Sequence, residues 1–214
     1  MYNAEIDLAV ISRDDMTVVE TLFRTIKLRD LITAGHSAIM AYYNYMIAKE
    51  FDSNNASWYY VGGLLHDIGK IGMSDSILKS SEKLKDEWYK VKTHVLNGVA
   101  ILEASNLPKI VVDICRYHHE KYDGSGYCEG LSGEDIPLCG RIAIIADVYS
   151  TLVGGRRHID PIDPEKVLTI LESEDRFFDP KILPWFISEM RYRLNTGQEP
   201  PVIPAKIDWQ LISI

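Results

Sequence analysis

The sequence predicts an all-α fold in which helices pack as a bundle. Apolar residues recur at helical spacing between residues 15 and 49, for example at Val18, Leu22 and Ile26. Strand-like and helix-like segments do not alternate, which argues against a parallel-sheet fold. The chain has 214 residues, 46% of them hydrophobic, so it is long enough to bury a core without disulfides.

Glycine, proline and polar runs divide the chain into predicted helices. A break near Arg29 and Asp30 separates two helices within 15–49, and residues 51–57 are typical of a polar turn. Gly69 and Gly72 end the following helix, and the composition from Asp123 to Tyr127 is typical of a loop. The later predicted helices cover 58–66, 85–104, 109–119, 140–152, 164–172 and 180–194.

We expect a lead-in at 1–14, one helical domain at 15–198 and a proline-containing tail at 199–214. The stretch from Thr17 to Ile26 is amphipathic, which fits a signalling helix or a dimer contact and leaves a homodimer open. The formal net charge of −8 argues against binding to a nucleic-acid duplex, which needs a basic surface.

The sequence has neither a signal peptide nor a run of about 18 apolar residues, so we expect no membrane span. Its three cysteines form no CxxC motif, which indicates free thiols in a reducing cytoplasm. Cys115 lies in an apolar helical run and is expected in the core. Cys128 lies in a glycine-rich loop and is expected at the surface.

Histidines and carboxylates occur where packing alone does not account for them. His66-Asp67 ends an apolar helix, and Asp147 interrupts another, where a carboxylate is costly unless it is paired or binds a metal. His118-His119 ends a third helix. Taken singly, the two histidine-containing pairs also fit capped or exposed helix ends. His36 and His94 are each ambiguous alone, but facing helices can direct such residues to one point.

These segments resemble the HD-GYP family of the HD superfamily. The matching residues include His66-Asp67-Ile68-Gly69-Lys70, His118-His119-Glu120 and the loop Asp123-Gly124-Ser125-Gly126-Tyr127. The resemblance spans roughly residues 20–190 and further includes 28–30, 33–36, 92–94, 130–138 and 141–149. It implies an HD-domain helical bundle with the glycine-rich GY loop between helices.

The resemblance also implies a centre of two divalent metal ions, with iron or manganese expected for histidine and carboxylate ligands. One metal would be held by His36, His66, Asp67 and Asp147. Asp67 would bridge to a second metal, whose other ligands would be His94, His118 and His119. Lys70 would contact the scissile phosphate, either as a point charge or as the acid for the leaving oxygen. The other implied substrate contacts are Gly124, Ser125, Gly126, Tyr127 and Arg156.

The implied activity is hydrolysis of cyclic di-GMP to linear pGpG or GMP by a hydroxide held between the two metals. The GY loop is also expected as a contact for a signalling protein. The sequence departs from the family pattern at Cys128, which replaces a proline, and at Ser150, which replaces a frequent aspartate. Ile32 replaces a glutamate that holds a third metal in some members, so we expect two metals.

These departures leave two alternatives open. Beside hydrolysis of cyclic di-GMP, the alternatives are a slow or inactive module that binds a cyclic dinucleotide, and a phosphohydrolase acting on another nucleotide. His158 lies outside the predicted metal-binding set, and we expect it in a loop.

Overall fold

The computed structural model describes residues 6–78, 88–155 and 160–198. Within these ranges the regular structure is helical, with no strand, which confirms the predicted fold class. The α-helices are α1 Arg13–Arg29, α2 Leu31–Phe51, α3 Ala56–Leu65, α4 Asp75–Leu78, α5 Trp88–Glu103, α6 Lys109–Tyr117, α7 Leu138–Gly154, α8 Pro164–Ser173 and α9 Ile182–Thr196.

The break between α1 and α2 lies at Asp30, as predicted. The backbone N–H of Asp30 makes the last hydrogen bond of α1, to the Ile26 carbonyl at 2.8 Å, and the extended backbone of Asp30 (φ −156°, ψ 107°) ends the helix. The Asp30 carboxylate accepts from the backbone N–H of Thr33 at 3.2 Å and from its hydroxyl at 2.7 Å. This cap satisfies one N–H group at the start of α2 that has no helical partner.

Helix α2 is central because it packs against both α3 and α7. It contributes to one core with α7, α8 and α9, where the rings of Tyr43 and Tyr149 lie 4.8 Å apart, edge to face. It also contributes to a second core with α1, α3, α5 and α6. A Cβ added to Gly63 of α3 would lie 2.5 Å from Cα of Ala41, so glycine permits the close approach of α2 and α3.

The amphipathic face of α1 is buried within the chain, at Val19, Phe23 and Ile26. The predicted lead-in also contacts the bundle, because Ile11 is buried and the Ser57 hydroxyl donates to the Asp7 carbonyl at 2.5 Å. The division at residues 14 and 15 stays a prediction, and the predicted tail at 199–214 lies outside the described residues.

Most predicted helix boundaries lie within about three residues of the observed ones. Helix α3 ends at Leu65, within one residue of its predicted end, and a 3-10 helix that the sequence did not predict, Ile68–Gly72, follows it. In the described part of the chain, no helix is both long and apolar enough to cross a membrane. Cys115 is buried and Cys128 is exposed, as predicted.

Candidate metal centre

Seven histidine and aspartate side chains from five parts of the bundle converge on one place. We call them the His–Asp cluster: His36 of α2, His66 and Asp67 after α3, His94 of α5, His118 and His119 after α6, and Asp147 of α7. All seven were predicted as metal ligands, and the structure brings all of them together.

Asp67 lies at the centre of the cluster. Its Oδ2 atom is 3.1 Å from Nε2 of His66, and its Oδ1 atom is 3.3 Å from Nε2 of His94. The ammonium group of Lys70, one 3-10 turn later, lies 2.5 Å from Oδ2. The carboxylate therefore contacts histidines of both predicted ligand sets.

Two glycines bring the 3-10 helix close enough to α5 for these contacts. A Cβ added to Gly69 would lie 1.9 Å from the His94 carbonyl oxygen and 2.4 Å from the backbone nitrogen of Gly98. A Cβ added to Gly98 would in turn lie 2.6 Å from Sγ of Cys115 on α6. Any larger side chain at residue 69 would push His94 away from Asp67.

Backbone carbonyls orient two of the imidazole rings. Nδ1 of His66 lies 2.8 Å from the Gly63 carbonyl oxygen, and Nδ1 of His118 lies 2.8 Å from the Cys115 carbonyl oxygen. A carbonyl can only accept, so Nδ1 carries the proton in both rings. In the neutral rings, Nε2 then presents a lone pair to the cluster, as metal ligation requires.

The cluster contains histidines whose pKa values shift in opposite directions. Burial lowers the pKa of His118 to about 3, with help from the neighbouring His66 and His94. Burial also holds the pKa of His119 well below its usual range. Burial alone would lower the pKa of His66, but the Asp67 carboxylate outweighs this effect and raises it. The rings of His118 and His119 are therefore neutral at neutral pH.

The same buried carboxylate has a depressed pKa. Burial opposes the ionised form of Asp67, but the charges of His66 and Lys70 dominate and lower its pKa well below the usual range. Asp67 is therefore ionised at neutral pH. A carboxylate beside neutral imidazoles is a donor set that suits divalent transition metals.

Two atoms at the centre lack a hydrogen-bond partner among the described residues: Nε2 of His66 and Oδ1 of Asp67. Buried polar atoms without partners are costly, and a metal ion would satisfy both. The donor atoms of His36, His66 and Asp67 lie within 4.8 Å of one another, as do those of His94, His118 and His119. The residues present therefore fit metal ions.

The predicted substrate contacts are only partly brought to the cluster. Tyr127 lies against it, with its ring 4.6 Å from the His119 ring. Ser125 is exposed, and its hydroxyl donates to Asp123 at 2.6 Å. Gly124 has a φ of +80°, which favours glycine in this turn. Arg156 and His158 lie outside the described residues.

Sequence reasoning assigned no role to Glu120, although the residue directly follows His118 and His119. Its side chain is fully buried, and its carboxylate accepts hydrogen bonds from three backbone N–H groups of the following loop. A glutamate next to two predicted ligands was the available signal. Its loop partners could not be identified before the fold was known.

The chain is similar to known proteins over most of its length. The sequence signature of the family described as HD domain matches residues 20–182. The "3'3'-cGAMP-specific phosphodiesterase 2" of Vibrio cholerae serotype O1 is 35% identical over 187 residues, covering 85% of this chain and 35% of the relative. A "Probable cyclic di-GMP phosphodiesterase" of the same organism is 35% identical over 167 residues, covering 71% of this chain and 38% of the relative. The chain thus spans about a third of the length of these relatives.

The fold also matches a solved structure, the HD domain of the L. monocytogenes phosphodiesterase PgpH in complex with cyclic-di-AMP. The TM-score is 0.61 at 18% identity, with 85% of this chain and 98% of that chain covered. At this identity the likeness supports the fold alone.

Proposed function

Because the chain belongs to the HD domain family, whose phosphohydrolases depend on metal ions, we propose that it is a phosphodiesterase that hydrolyses a cyclic dinucleotide. The preferred substrate is cyclic di-GMP, and the products are linear pGpG or GMP. The observation that carries this proposal is the His–Asp cluster around Asp67, in which Nε2 of His66 and Oδ1 of Asp67 make no hydrogen bond among the described residues.

We assign two metal ions to the cluster. His36, His66, Asp67 and Asp147 would hold the first, and His94, His118 and His119 the second, with Asp67 contacting both. Two observations support this division. The donor atoms form two groups, and within each group they lie within 4.8 Å of one another. Asp67 also contacts His66 of the first set and His94 of the second. Iron or manganese suits this set, because it contains imidazole and carboxylate but no thiolate.

When bound, two such cations supply a water of lowered pKa and neutralise phosphoryl oxygens. The protein's own groups prepare the site. The carbonyls of Gly63 and Cys115 keep Nε2 of His66 and His118 directed inward. Burial keeps His118 and His119 unprotonated and able to ligate at neutral pH, as the lowered pKa of each indicates.

Lys70 is the residue that we assign to the scissile phosphate. Its ammonium lies 2.5 Å from Asp67, yet 18% of its side chain stays exposed, so a substrate can reach it from outside. The Tyr127 ring lies at the edge of the cluster, because it contacts the His119 ring. We keep Gly124, Ser125, Gly126 and Arg156 as proposed substrate contacts, and the loop as a proposed contact for a signalling protein.

The test begins with protein purified without chelator, in which metal is measured before cyclic di-GMP hydrolysis is assayed anaerobically with iron or manganese. We expect about two metals per chain and turnover, as two-metal sites require. Asp67→Asn should lose both the bound metal and the turnover. Asp14→Asn, at an exposed position on α1, should retain both. A protein without metal under any condition would refute the proposal.

A second candidate substrate is 3'3'-cGAMP, because one of the relatives that is 35% identical is named for it. Parallel assays with cyclic di-GMP, 3'3'-cGAMP and cyclic-di-AMP would rank the substrates by kcat/KM. Two metals with tight nucleotide binding but no turnover on any of the three would instead indicate a binding module.

A further inference from the structure

The loop after His119 folds back onto the segment that carries two of the proposed ligands. Glu120 anchors it: Oε1 accepts from the backbone N–H of Glu129 at 2.6 Å and of Gly130 at 3.1 Å, and Oε2 accepts from that of Leu131 at 3.1 Å. Hydrogen bonds to a charged acceptor are about twice as strong as neutral ones. Since the Glu120 side chain is fully buried, losing this carboxylate would leave three donors of the loop without their acceptor.

The same loop contacts His119 at close range. The backbone N–H of Tyr127 donates to the His119 carbonyl at 3.2 Å. A Cβ added to Gly126 would lie 2.6 Å from both the His119 carbonyl oxygen and Cα of Glu120, so only glycine fits there. The Tyr127 ring is then 4.6 Å from the His119 ring, with 31° between their planes. Lys92 places its ammonium 4.8 Å from the centre of the Tyr127 ring.

His119 differs from the other members of the His–Asp cluster. Its side chain is 23% exposed, whereas the side chain of Asp147 is 7% exposed and that of His66 only 1%. His66 and His118 are each oriented by a backbone carbonyl, but within the described ranges no carbonyl bonds the His119 ring. Its ring packs instead against His118 at 3.9 Å, His94 at 5.2 Å and Tyr127.

We infer that Glu120 and Tyr127 are positioning residues for His119: the Glu120 carboxylate holds the loop, and the loop holds the Tyr127 ring against the imidazole. The inference rests on the proposed metal centre, in which His119 is a ligand. Tyr127 thus takes the part that backbone carbonyls take for His66 and His118. The imidazole also packs against His118 and His94, and its Nδ1 atom lies 3.8 Å from Oδ2 of Asp147. Loss of the Tyr127 ring removes its contact on the loop side and so weakens the site formed by His94, His118 and His119.

The experiment measures Mn²⁺ affinity of the metal-free chain by titration, not turnover. We expect Tyr127→Ala and Glu120→Gln to weaken the site containing His119 about tenfold, the size typical of lost support for a ligand. Tyr127→Phe keeps the ring and should bind within about twofold of wild type, since it removes only the hydroxyl. In a His119→Ala background, Tyr127→Ala should cause no further loss. An equal loss in that background, or wild-type affinity in Tyr127→Ala, would overturn the inference.

A second measurement separates this inference from the proposed function. In the metal-free protein, NMR resonances of the His119 ring should shift in Tyr127→Ala and not in Tyr127→Phe, because the neighbouring ring is lost only in the first. Unchanged His119 resonances would overturn the inference even if metal binds. Absence of Mn²⁺ binding by the wild type would refute the metal centre and with it the assignment of His119 as a supported ligand. Because Glu120→Gln alters a buried group, its fold is checked by thermal unfolding. If that variant is unfolded, the results for the Tyr127 variants alone test the inference.

Discussion

His36 and Asp147 lie side by side across α2 and α7, with Nε2 of the imidazole 2.9 Å from Oδ1 of the carboxylate. On the other side of the same ring, Nδ1 lies 3.4 Å from the hydroxyl of Ser150, which also donates to the Asp147 carbonyl at 3.1 Å. The contact between Ser150 and His36 is longer than the 2.8 Å contacts that orient His66 and His118. A stronger acceptor at residue 150 would hold the ring more firmly and raise its basicity.

We therefore predict that Ser150→Asp strengthens Mn²⁺ binding at the site of His36 by about tenfold. The measurement is a titration of metal-free protein. Ser188→Asp adds the same charge at an exposed position of α9 and should leave binding unchanged. Equal gains in both variants would show that the effect is one of net charge and not of the contact with His36.

The close crossing at Gly69 gives a second prediction. Gly69→Ala places a Cβ against the backbone of His94 and Gly98, so the 3-10 helix and α5 must move apart. We expect a loss of about 1–3 kcal/mol in the free energy of unfolding, typical of overpacking. Mn²⁺ binding should weaken as well, because His94 moves away from Asp67.

Gly72→Ala is the matched control for this substitution. Its added Cβ would meet Nδ2 of Asn97 at 2.9 Å, and that side chain can rotate away. Urea unfolding and Mn²⁺ titration of the two variants should therefore differ. If Gly72→Ala proved as damaging as Gly69→Ala, the close backbone approach would not be the cause.

The all-α fold was predictable because apolar spacing is a local signal, whereas the proposed ligand set came from histidines and carboxylates taken together with the family resemblance. Asp147 stands in an apolar helical run, where an ionised group needs a partner, and His36 supplies it. The role of Glu120 left no such signal, since its partners are backbone N–H groups nine to eleven residues later in an irregular loop. The 3-10 helix after Asp67 was likewise missed, because Gly69 is set there by contact with α5 and not by local propensity.

The stability of the metal-free protein should fall as the pH is lowered below about 6.5, and His118 gives the sign. Burial lowers its folded-state pKa from 6.5 to about 3, so between these values the unfolded chain takes up a proton that the folded chain refuses. Each such proton costs about 1.4 kcal/mol of stability per pH unit. His119, whose pKa burial also lowers, acts in the same direction.

His66 acts in the opposite direction. Although burial opposes its charge, Asp67 raises its folded-state pKa, so its contribution is fully present below 6.5 and lost as the pH rises through the raised value. Urea unfolding of metal-free wild type and His118→Gln at pH 7.5, 6.5 and 5.5 isolates the His118 contribution. Below pH 6.5 the wild-type slope should exceed that of the variant, and the difference should rise toward about 1.4 kcal/mol per pH unit as the pH falls. Equal slopes would mean that His118 is protonated in the folded state.

Lys70 gives the last prediction, which separates its two candidate roles. Its ammonium lies 2.5 Å from the Asp67 carboxylate, so the side chain places a positive charge beside the proposed metal site. Lys70→Met should lower kcat about 10²–10³-fold, the range seen when an electrostatic group is removed. Metal content should not change, since Lys70 is not a proposed ligand. Lys166→Met, at an exposed position of α8, should affect neither quantity.

Lys70→Arg decides between point charge and acid. Arginine keeps the positive charge but cannot give up a proton near neutral pH. If Lys70 acts by charge, Lys70→Arg should retain clearly more activity than Lys70→Met, with a pH profile of kcat that keeps its wild-type shape. If Lys70 instead protonates the leaving oxygen, both variants should lose activity equally, and the fall in kcat on the alkaline side should disappear in each.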